Sequence, residues 1–103
     1  MMSETTQVSR MEVDRRIAEI RDRMDDLDEA LVNLLNERAT CARDIGCLKG
    51  KVGLAVYQPG REVEVLKNVQ SRNKGPLEDG AVVRLFKEII NEAKRLEETH
   101  SSG

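Results

Sequence analysis

Residues 9–50 read SRMEVDRRIAEIRDRMDDLDEALVNLLNERATCARDIGCLKG, and their pattern gives the strongest indication of the fold. Its apolar side chains recur at alternating spacings of four and three residues, the heptad pattern of a helix that packs along another helix. Ser9 with Glu12 three residues on is a capping-box pattern, so we expect the helix to begin there and to end near residues 50–53. Gly46 inside it lowers stability by about 1 kcal/mol relative to alanine, so we expect the end to fray. The apolar seam consists of Val13, Ile17, Ile20, Met24, Leu27, Leu31, Leu34, Cys41, Ile45 and Leu48.

The remainder of the chain predicts two shorter helices and no strand. The second helix starts at Pro59, which suits a first helical position, and ends near Arg72. The third runs from about residue 76 or 77 to Glu98. We therefore expect an all-α fold of three helices with one very long N-terminal helix, a single domain over residues 9–98, and disordered tails at 1–8 and 99–103. The buried side of the second helix is predicted at Val63, Leu66 and Val69, and that of the third at Val82, Phe86, Ile89, Ala93 and Leu96.

The length of the first helix predicts a second chain. About 40 helical residues extend roughly 60 Å, whereas a compact domain of about 100 residues is only about 34 Å across. The seam is apolar towards both ends of this helix, and the two shorter helices cannot cover all of it while also packing on each other. We therefore predict an intertwined homodimer in which the long helices lie side by side.

Composition and charge exclude several classes of function. The net charge is −2, with 35% charged and 2% aromatic residues, and acids and bases are interspersed, which is not the footprint of a nucleic-acid binder. The polar N-terminus predicts neither a signal peptide nor a membrane anchor, so we expect a cytosolic protein.

Cys41 and Cys47 lie six residues apart on the predicted helix and point in different directions, so no disulfide is expected between them. His100 is the only histidine, and we expect no metal site.

Arg38 stands where the seam requires an apolar residue. A buried guanidinium is unfavourable unless an anion meets it, and Lys49, eleven residues further, lies about three turns along the same helix face. Two cations on one inward face predict a site for an anionic ligand. Alternatively, Arg38 extends its charge to solvent or pairs with an acid of the partner subunit, and Lys49 is a cation favoured at a helix C-terminus.

Two further charged residues have both a plain and a functional interpretation. Arg21 precedes Arg38 by seventeen residues, about 100° round the helix, so the two cannot easily grip one ligand from one chain. In an antiparallel dimer Arg21 reaches the other chain's site; otherwise it is a solvated charge beside Asp25 and Asp28. Glu97 is either a site residue or a solvated acid near a helix end.

The chain resembles the all-helical class of chorismate mutase over about residues 10–98. The resemblance is carried by four runs in the family's order and spacing: Leu27-Asp28-x-x-Leu31-x-x-Leu34-Leu35-x-x-Arg38, Gly46-x-x-Lys49, Pro59-x-Arg61-Glu62 and Arg84-Leu85-Phe86-x-x-Ile89-Ile90. It implies a homodimeric isomerase of aromatic amino acid biosynthesis that converts chorismate to prephenate and needs no cofactor. It also implies two sites per dimer, each completed by an arginine of the other chain.

The resemblance assigns roles to individual residues. It implies that Arg38 binds one carboxylate of chorismate and that Arg21 of the partner subunit binds the other. Lys49 contacts a carboxylate and the ether oxygen of the breaking bond, Glu62 holds the ring hydroxyl, and Arg61 supports the carboxylate end.

Three positions depart from the family's pattern. Gln58 stands where some members have aspartate, and Ala93 where several have a serine that binds a carboxylate. Glu97 stands where many have a glutamine that donates to the ether oxygen, which an ionised glutamate cannot do. An isochorismate pyruvate lyase on the same fold and a non-catalytic helical dimerisation or regulatory module remain the alternative functions.

Overall fold

The computed structural model describes residues 8–55 and 58–101, and helices account for most of them. Helix α1 spans Arg10–Val52, α2 spans Pro59–Arg72 and α3 spans Asp79–Ser101, and no strand occurs in these two ranges. The prediction of an all-α chain with one very long first helix is confirmed. Of the predicted N-terminal tail, residues 1–7 lie outside the described residues. Helix α3 extends three residues beyond the predicted end at Glu98, and the division into domain and tails stays a prediction.

Both ends of α1 are fixed by local hydrogen bonds. At the start, the backbone N–H of Glu12 donates to the Ser9 hydroxyl at 3.0 Å, as the capping pattern predicted. At the other end, Gly53 adopts a φ of +71°, and the N–H of Leu54 donates to the carbonyl of Lys49 at 2.9 Å. A left-handed glycine with such a backward bond is a common helix stop. The helix is continuous through Gly46 as far as Val52.

The turn between α2 and α3 is organised by Asn73, and α3 begins later than predicted because of it. The Asn73 amide nitrogen donates to the carbonyl of Leu77 and to the carboxylate of Asp79, both at 2.8 Å. Its amide oxygen accepts from the N–H of Gly75 at 3.1 Å, and Gly75 has a φ of +75°. These bonds hold the residues up to Glu78 in a loop, so α3 starts at Asp79.

The apolar faces of the shorter helices are partly as predicted. On α3, the predicted stripe is confirmed, since all five of its side chains are half-buried. On α2, Leu66 and Val69 are half-buried, but Val63 is 52% exposed, so its assignment to the buried side is wrong. Its inward face includes Glu62 and Val65 instead, which turns a carboxylate towards the interior.

The chain divides into two compact units, Met1–Leu34 and Leu35–Gly103. In the described part of the first unit, α1 carries ion pairs along its surface, among them Arg16 with Glu12 at 2.9 Å. The apolar seam of α1 is exposed to solvent in this unit, with Ile20 61% and Leu31 55% exposed.

The second unit contains the rest of α1 together with α2 and α3. Its most enclosed described residues are Ala42 and Gly46, both on α1. Among the residues described, none of the helices combines the length and apolarity that a membrane crossing requires.

Candidate active site

A cavity of about 320 Å³ lies in the second unit, between α1, α2 and α3. Its wall combines apolar side chains such as Ile45, Val65 and Ile90 with a set of charged ones. The polar lining residues are Arg38, Lys49, Gln58, Arg61, Glu62, Lys94 and Glu97. An apolar wall with a few converging polar groups is the usual character of a small-molecule site.

Helix α1 contributes two cations to this cavity, Arg38 and Lys49. The sequence placed them on one helix face because eleven residues correspond to about three turns, and the structure confirms that both reach the same cavity. Ala42 and Ile45 line the wall between them. The Lys49 side chain is only 14% exposed, so its charge acts in a partly desolvated place.

Lys49 contacts Glu97 of α3 across the cavity. The ammonium nitrogen Nζ donates to Oε2 of Glu97 at 3.3 Å, and the Glu97 side chain is also 14% exposed. Such burial excludes the plain interpretation of Glu97 as a solvated acid at a helix end. In this arrangement the carboxylate accepts a hydrogen bond from Lys49.

Gly46 allows the two helices to approach closely at this point. A Cβ atom at Gly46 would lie 2.8 Å from both the Cα and the carbonyl oxygen of Glu97. Real Cβ atoms essentially never lie this close to backbone atoms, so α1 and α3 approach each other this closely because residue 46 has no side chain. Gly46, which lowers the stability of an isolated helix, therefore helps to position Glu97 beside Lys49.

Glu62 of α2 forms a second ion pair across the cavity, with Lys94 of α3. The Lys94 ammonium lies 2.9 Å from Oε1 of Glu62, and the side chains are 30% and 27% exposed. Oε1 itself is buried, and no described residue directs a hydrogen bond of normal geometry at it. Sequence reasoning missed Lys94. Helical spacing could have identified it, because Lys94 lies between Ile90 and Glu97 on the face of α3 that also carries Ala93.

Gln58, Arg61 and Ala93 also line the cavity, as the resemblance implied. Gln58 is the N-cap residue of α2, and its carbonyl accepts the N–H of Arg61 at 3.0 Å. The Arg61 side chain is 63% exposed and is paired with Glu64 of the same helix. Ala93 presents only a methyl group where several family members have a serine hydroxyl.

Arg21 is the one predicted site residue that is not among the residues lining the cavity. It lies on the N-terminal part of α1, within the first unit, and is exposed. Its proposed contribution to a site depends on a second copy of the chain.

The charges that line the cavity favour an anionic ligand. Arg38, Lys49, Arg61 and Lys94 oppose Glu62 and Glu97, which leaves a formal excess of two positive charges. The described residues include no group of three or more histidine, cysteine, aspartate or glutamate side chains that could share a metal ion. The excess of positive charge along the cavity wall therefore favours a small anionic ligand.

Comparisons with known proteins agree on one family. The family described as chorismate mutase type II matches residues 20–98. A bifunctional chorismate mutase/prephenate dehydratase of Neisseria gonorrhoeae is 46% identical over 85 residues, which are 82% of this chain but 23% of that protein. The chain thus spans about a quarter of the length of such bifunctional relatives. A chorismate mutase of Methanocaldococcus jannaschii is 24% identical, over 82% of this chain and 87% of that protein.

A solved structure of a chorismate mutase from Thermus thermophilus, form II, has the same fold. It superposes with a TM-score of 0.79 at 37% identity, over 81% of this chain and 94% of the Thermus chain.

Proposed function

Because this chain belongs to the chorismate mutase type II family, we propose that it catalyses the rearrangement of chorismate to prephenate in the biosynthesis of phenylalanine and tyrosine. The observation that carries the proposal is the partly buried cavity with an excess of two positive charges, because chorismate is a compact dianion. No cofactor or metal is required for this reaction, and we propose that it takes place in the cytosol.

The proposed chemistry is an intramolecular pericyclic rearrangement. The C–O bond of the enolpyruvyl ether breaks while a C–C bond forms between the side chain and the ring, so no nucleophile or external proton is needed. The protein has to hold the substrate in its compact diaxial shape, in which the reacting carbons are close. Arg38 is proposed to bind one carboxylate, since a guanidinium can donate two parallel hydrogen bonds to a carboxylate.

Rate acceleration is assigned to donors aimed at the ether oxygen, where negative charge grows as the C–O bond breaks. Lys49 is the first donor, and its low exposure supports this role because a partly desolvated ammonium acts strongly on nearby charge. A preorganised donor of this kind typically stabilises a transition state by about 3–4 kcal/mol. Lys49 exchanges its bond to Glu97 for one to the substrate.

Glu97 is proposed as the second donor to the ether oxygen, in its protonated form. A carboxylate only accepts hydrogen bonds, whereas a carboxylic acid also donates one. Substrate binding brings negative charge next to Glu97 and draws Lys49 towards the substrate. In the complex, Glu97 is then free of its bond to Lys49 and can donate to the ether oxygen as the carboxylic acid.

The remaining polar residues are proposed to orient the substrate. Glu62 accepts the ring hydroxyl, while Gln58 and Arg61 contact the carboxylate end at the start of α2. Ala93 adds no polar contact, so position 93 contributes only its shape to the cavity wall.

We propose that the active protein is a homodimer in which Arg21 of the partner subunit binds the second carboxylate. The support is the open apolar seam of α1, where Ile20, Leu31 and Leu34 are 55–61% exposed in the single chain. A contiguous exposed apolar stripe of this kind marks an interaction surface. A second copy of α1 carries the same seam and covers it with matching side chains.

An assay with two substrates tests the proposed reaction against its alternatives. Purified protein is offered chorismate and isochorismate in separate reactions, and the products are identified by NMR. We expect prephenate from chorismate and little pyruvate from isochorismate. Pyruvate released mainly from isochorismate would assign the lyase reaction instead, and turnover of neither substrate would leave the non-catalytic helical module.

A further inference from the structure

Lys94 projects from α3 into the cavity on the same side as Glu97, one turn earlier. Helix α3 thereby takes part in two ion pairs of opposite polarity. Its acid Glu97 meets Lys49 of α1, and its base Lys94 meets Glu62 of α2. Lys94 thus links α3 to the acidic residue of α2 that faces the cavity.

The Glu62 carboxylate requires a nearby cation. Its Oε1 is buried, and no described residue directs a hydrogen bond of normal geometry at it, although the Lys94 ammonium lies 2.9 Å away. A buried carboxylate oxygen is unfavourable without a nearby positive charge. The Lys94 ammonium supplies this positive charge and holds the Glu62 carboxylate in its position at the cavity.

The two oxygens of Glu62 are therefore not equivalent. Oε1 is buried against Lys94, which leaves Oε2 as the oxygen that can accept a hydrogen bond from a ligand. We propose that Lys94 is a positioning residue, which fixes the Glu62 carboxylate so that Oε2 accepts the ring hydroxyl of the substrate. This inference rests on the proposed function for the identity of the substrate, but the Lys94–Glu62 geometry does not depend on it.

A double-mutant cycle with Glu62 tests whether Lys94 acts through this carboxylate. Lys94→Met, Glu62→Gln and the double variant are compared with the wild type for conversion of chorismate. We expect Lys94→Met to reduce kcat/KM roughly tenfold, about the effect of one charge-assisted hydrogen bond. The loss should appear mainly as a higher KM, because the hydroxyl is bound in the ground state and in the transition state alike. In the Glu62→Gln background the same substitution should change little.

Two results of the cycle would overturn the proposal. Full activity of Lys94→Met shows that the ion pair does not orient Glu62. Losses that multiply in the double variant show that Lys94 acts on the substrate independently of Glu62. Lys87→Met is the matched control, since Lys87 is an exposed lysine two turns earlier on the same helix, and it should leave kcat and KM unchanged.

A crystal structure separates failure of this inference from failure of the proposed function. If the wild type does not convert chorismate, the proposed function is wrong, and the position of Glu62 still decides the role of Lys94. In crystals of Lys94→Met, we expect the Glu62 carboxylate to have turned from its wild-type position. An unchanged carboxylate contradicts the proposal. If Lys94→Met does not fold, Lys94→Gln, which removes the charge but keeps a donor, is put through the same tests.

Discussion

The absence of one side chain at Gly46 determines how α1 and α3 meet at the candidate site. We predict that Gly46→Ala forces the two backbones apart, because the added Cβ would lie 2.8 Å from backbone atoms of Glu97. Overpacking of this kind lowers the free energy of unfolding by about 1–3 kcal/mol, although alanine is the better helix former. Chemical denaturation measures the change.

Gly60 provides the control for this substitution. It lies in α2, and no atom outside its immediate chain neighbourhood comes within 4 Å of the position that an added Cβ would take, so Gly60→Ala should be neutral or slightly stabilising. Equal stability of Gly46→Ala and the wild type would show that the helices do not pack as closely at Glu97 as the structure indicates.

The proposed role of Glu97 predicts that kcat falls as pH rises. If the protonated acid donates to the ether oxygen, the active fraction falls as pH rises and Glu97 loses its proton in the complex. Glu97→Gln supplies a permanent donor and still accepts from Lys49. We predict that wild-type kcat declines towards alkaline pH, while the Gln variant has a flatter profile and an equal or higher rate at neutral to alkaline pH.

The neighbouring exposed acid serves as the reference for this profile. Glu98→Gln should have the same pH dependence of kcat as the wild type, because residue 98 is exposed and does not line the cavity. A wild-type kcat that is flat from acid to neutral pH, or an unchanged alkaline decline in Glu97→Gln, argues that Glu97 is not the titrating donor.

The sequence alone predicted those site residues that are charged where the helical pattern requires an apolar residue. Arg38 interrupts an apolar seam, and helical periodicity then places Lys49 on the same face. Lys94 carries no such conflict, because a lysine near the end of an amphipathic helix is ordinary. Its importance depends on the distance to Glu62 on another helix, and no local pattern encodes that distance. Gly46 was misjudged for the same reason, since its value lies in a contact with α3.

At the level of the helices, the strongest prediction is that the seam of α1 forms a dimer interface. Its seam is exposed in the single chain, with Leu31 55% exposed, and we expect a second copy to cover it. A lysine placed there puts a charge into an apolar interface, so Leu31→Lys should weaken the dimer. Light scattering should give about twice the 11.6 kDa chain mass for the wild type and a lower mass for this variant at the same concentration.

A substitution on the other side of α1 controls for the added lysine. Glu29 lies opposite the seam in the heptad pattern and is exposed, so Glu29→Lys should keep the mass and the helicity of the wild type. A folded wild-type monomer at micromolar concentration would contradict the interlocked dimer.

The helix boundaries show what local chemistry can and cannot predict. Pro59 marks the start of α2 correctly, and Ser9 with Glu12 marks the start of α1, because both signals act within one turn. The start of α3 was placed too early, since the side chain of Asn73 bonds to residues up to Asp79 and holds the intervening chain in a loop. Hydrogen bonds from one asparagine side chain to a residue six positions away do not appear as a periodic pattern in the sequence.

At the scale of the whole molecule, the seam and the cavity lead to the same assembly. The length and apolar face of α1 predicted a partner chain, and the cavity brings together every proposed site residue except Arg21. A dimer that shares its sites accounts for both facts, because it covers the seam and supplies an arginine from the other copy. The all-α class followed from periodicity alone, but the approach of three helices around one cavity depends on contacts between distant residues.

Exchange of subunits between two inactive variants tests whether the two chains of the dimer share their sites. Arg21→Ala and Arg38→Ala should each remain helical and lose most activity on chorismate. After mixing under conditions that exchange subunits, half of the dimers are mixed, and each has one site with both arginines intact. Activity should therefore recover to roughly one quarter of the wild-type value. No recovery despite proven exchange would contradict the account, because it would mean that Arg21 and Arg38 serve the same chain's site.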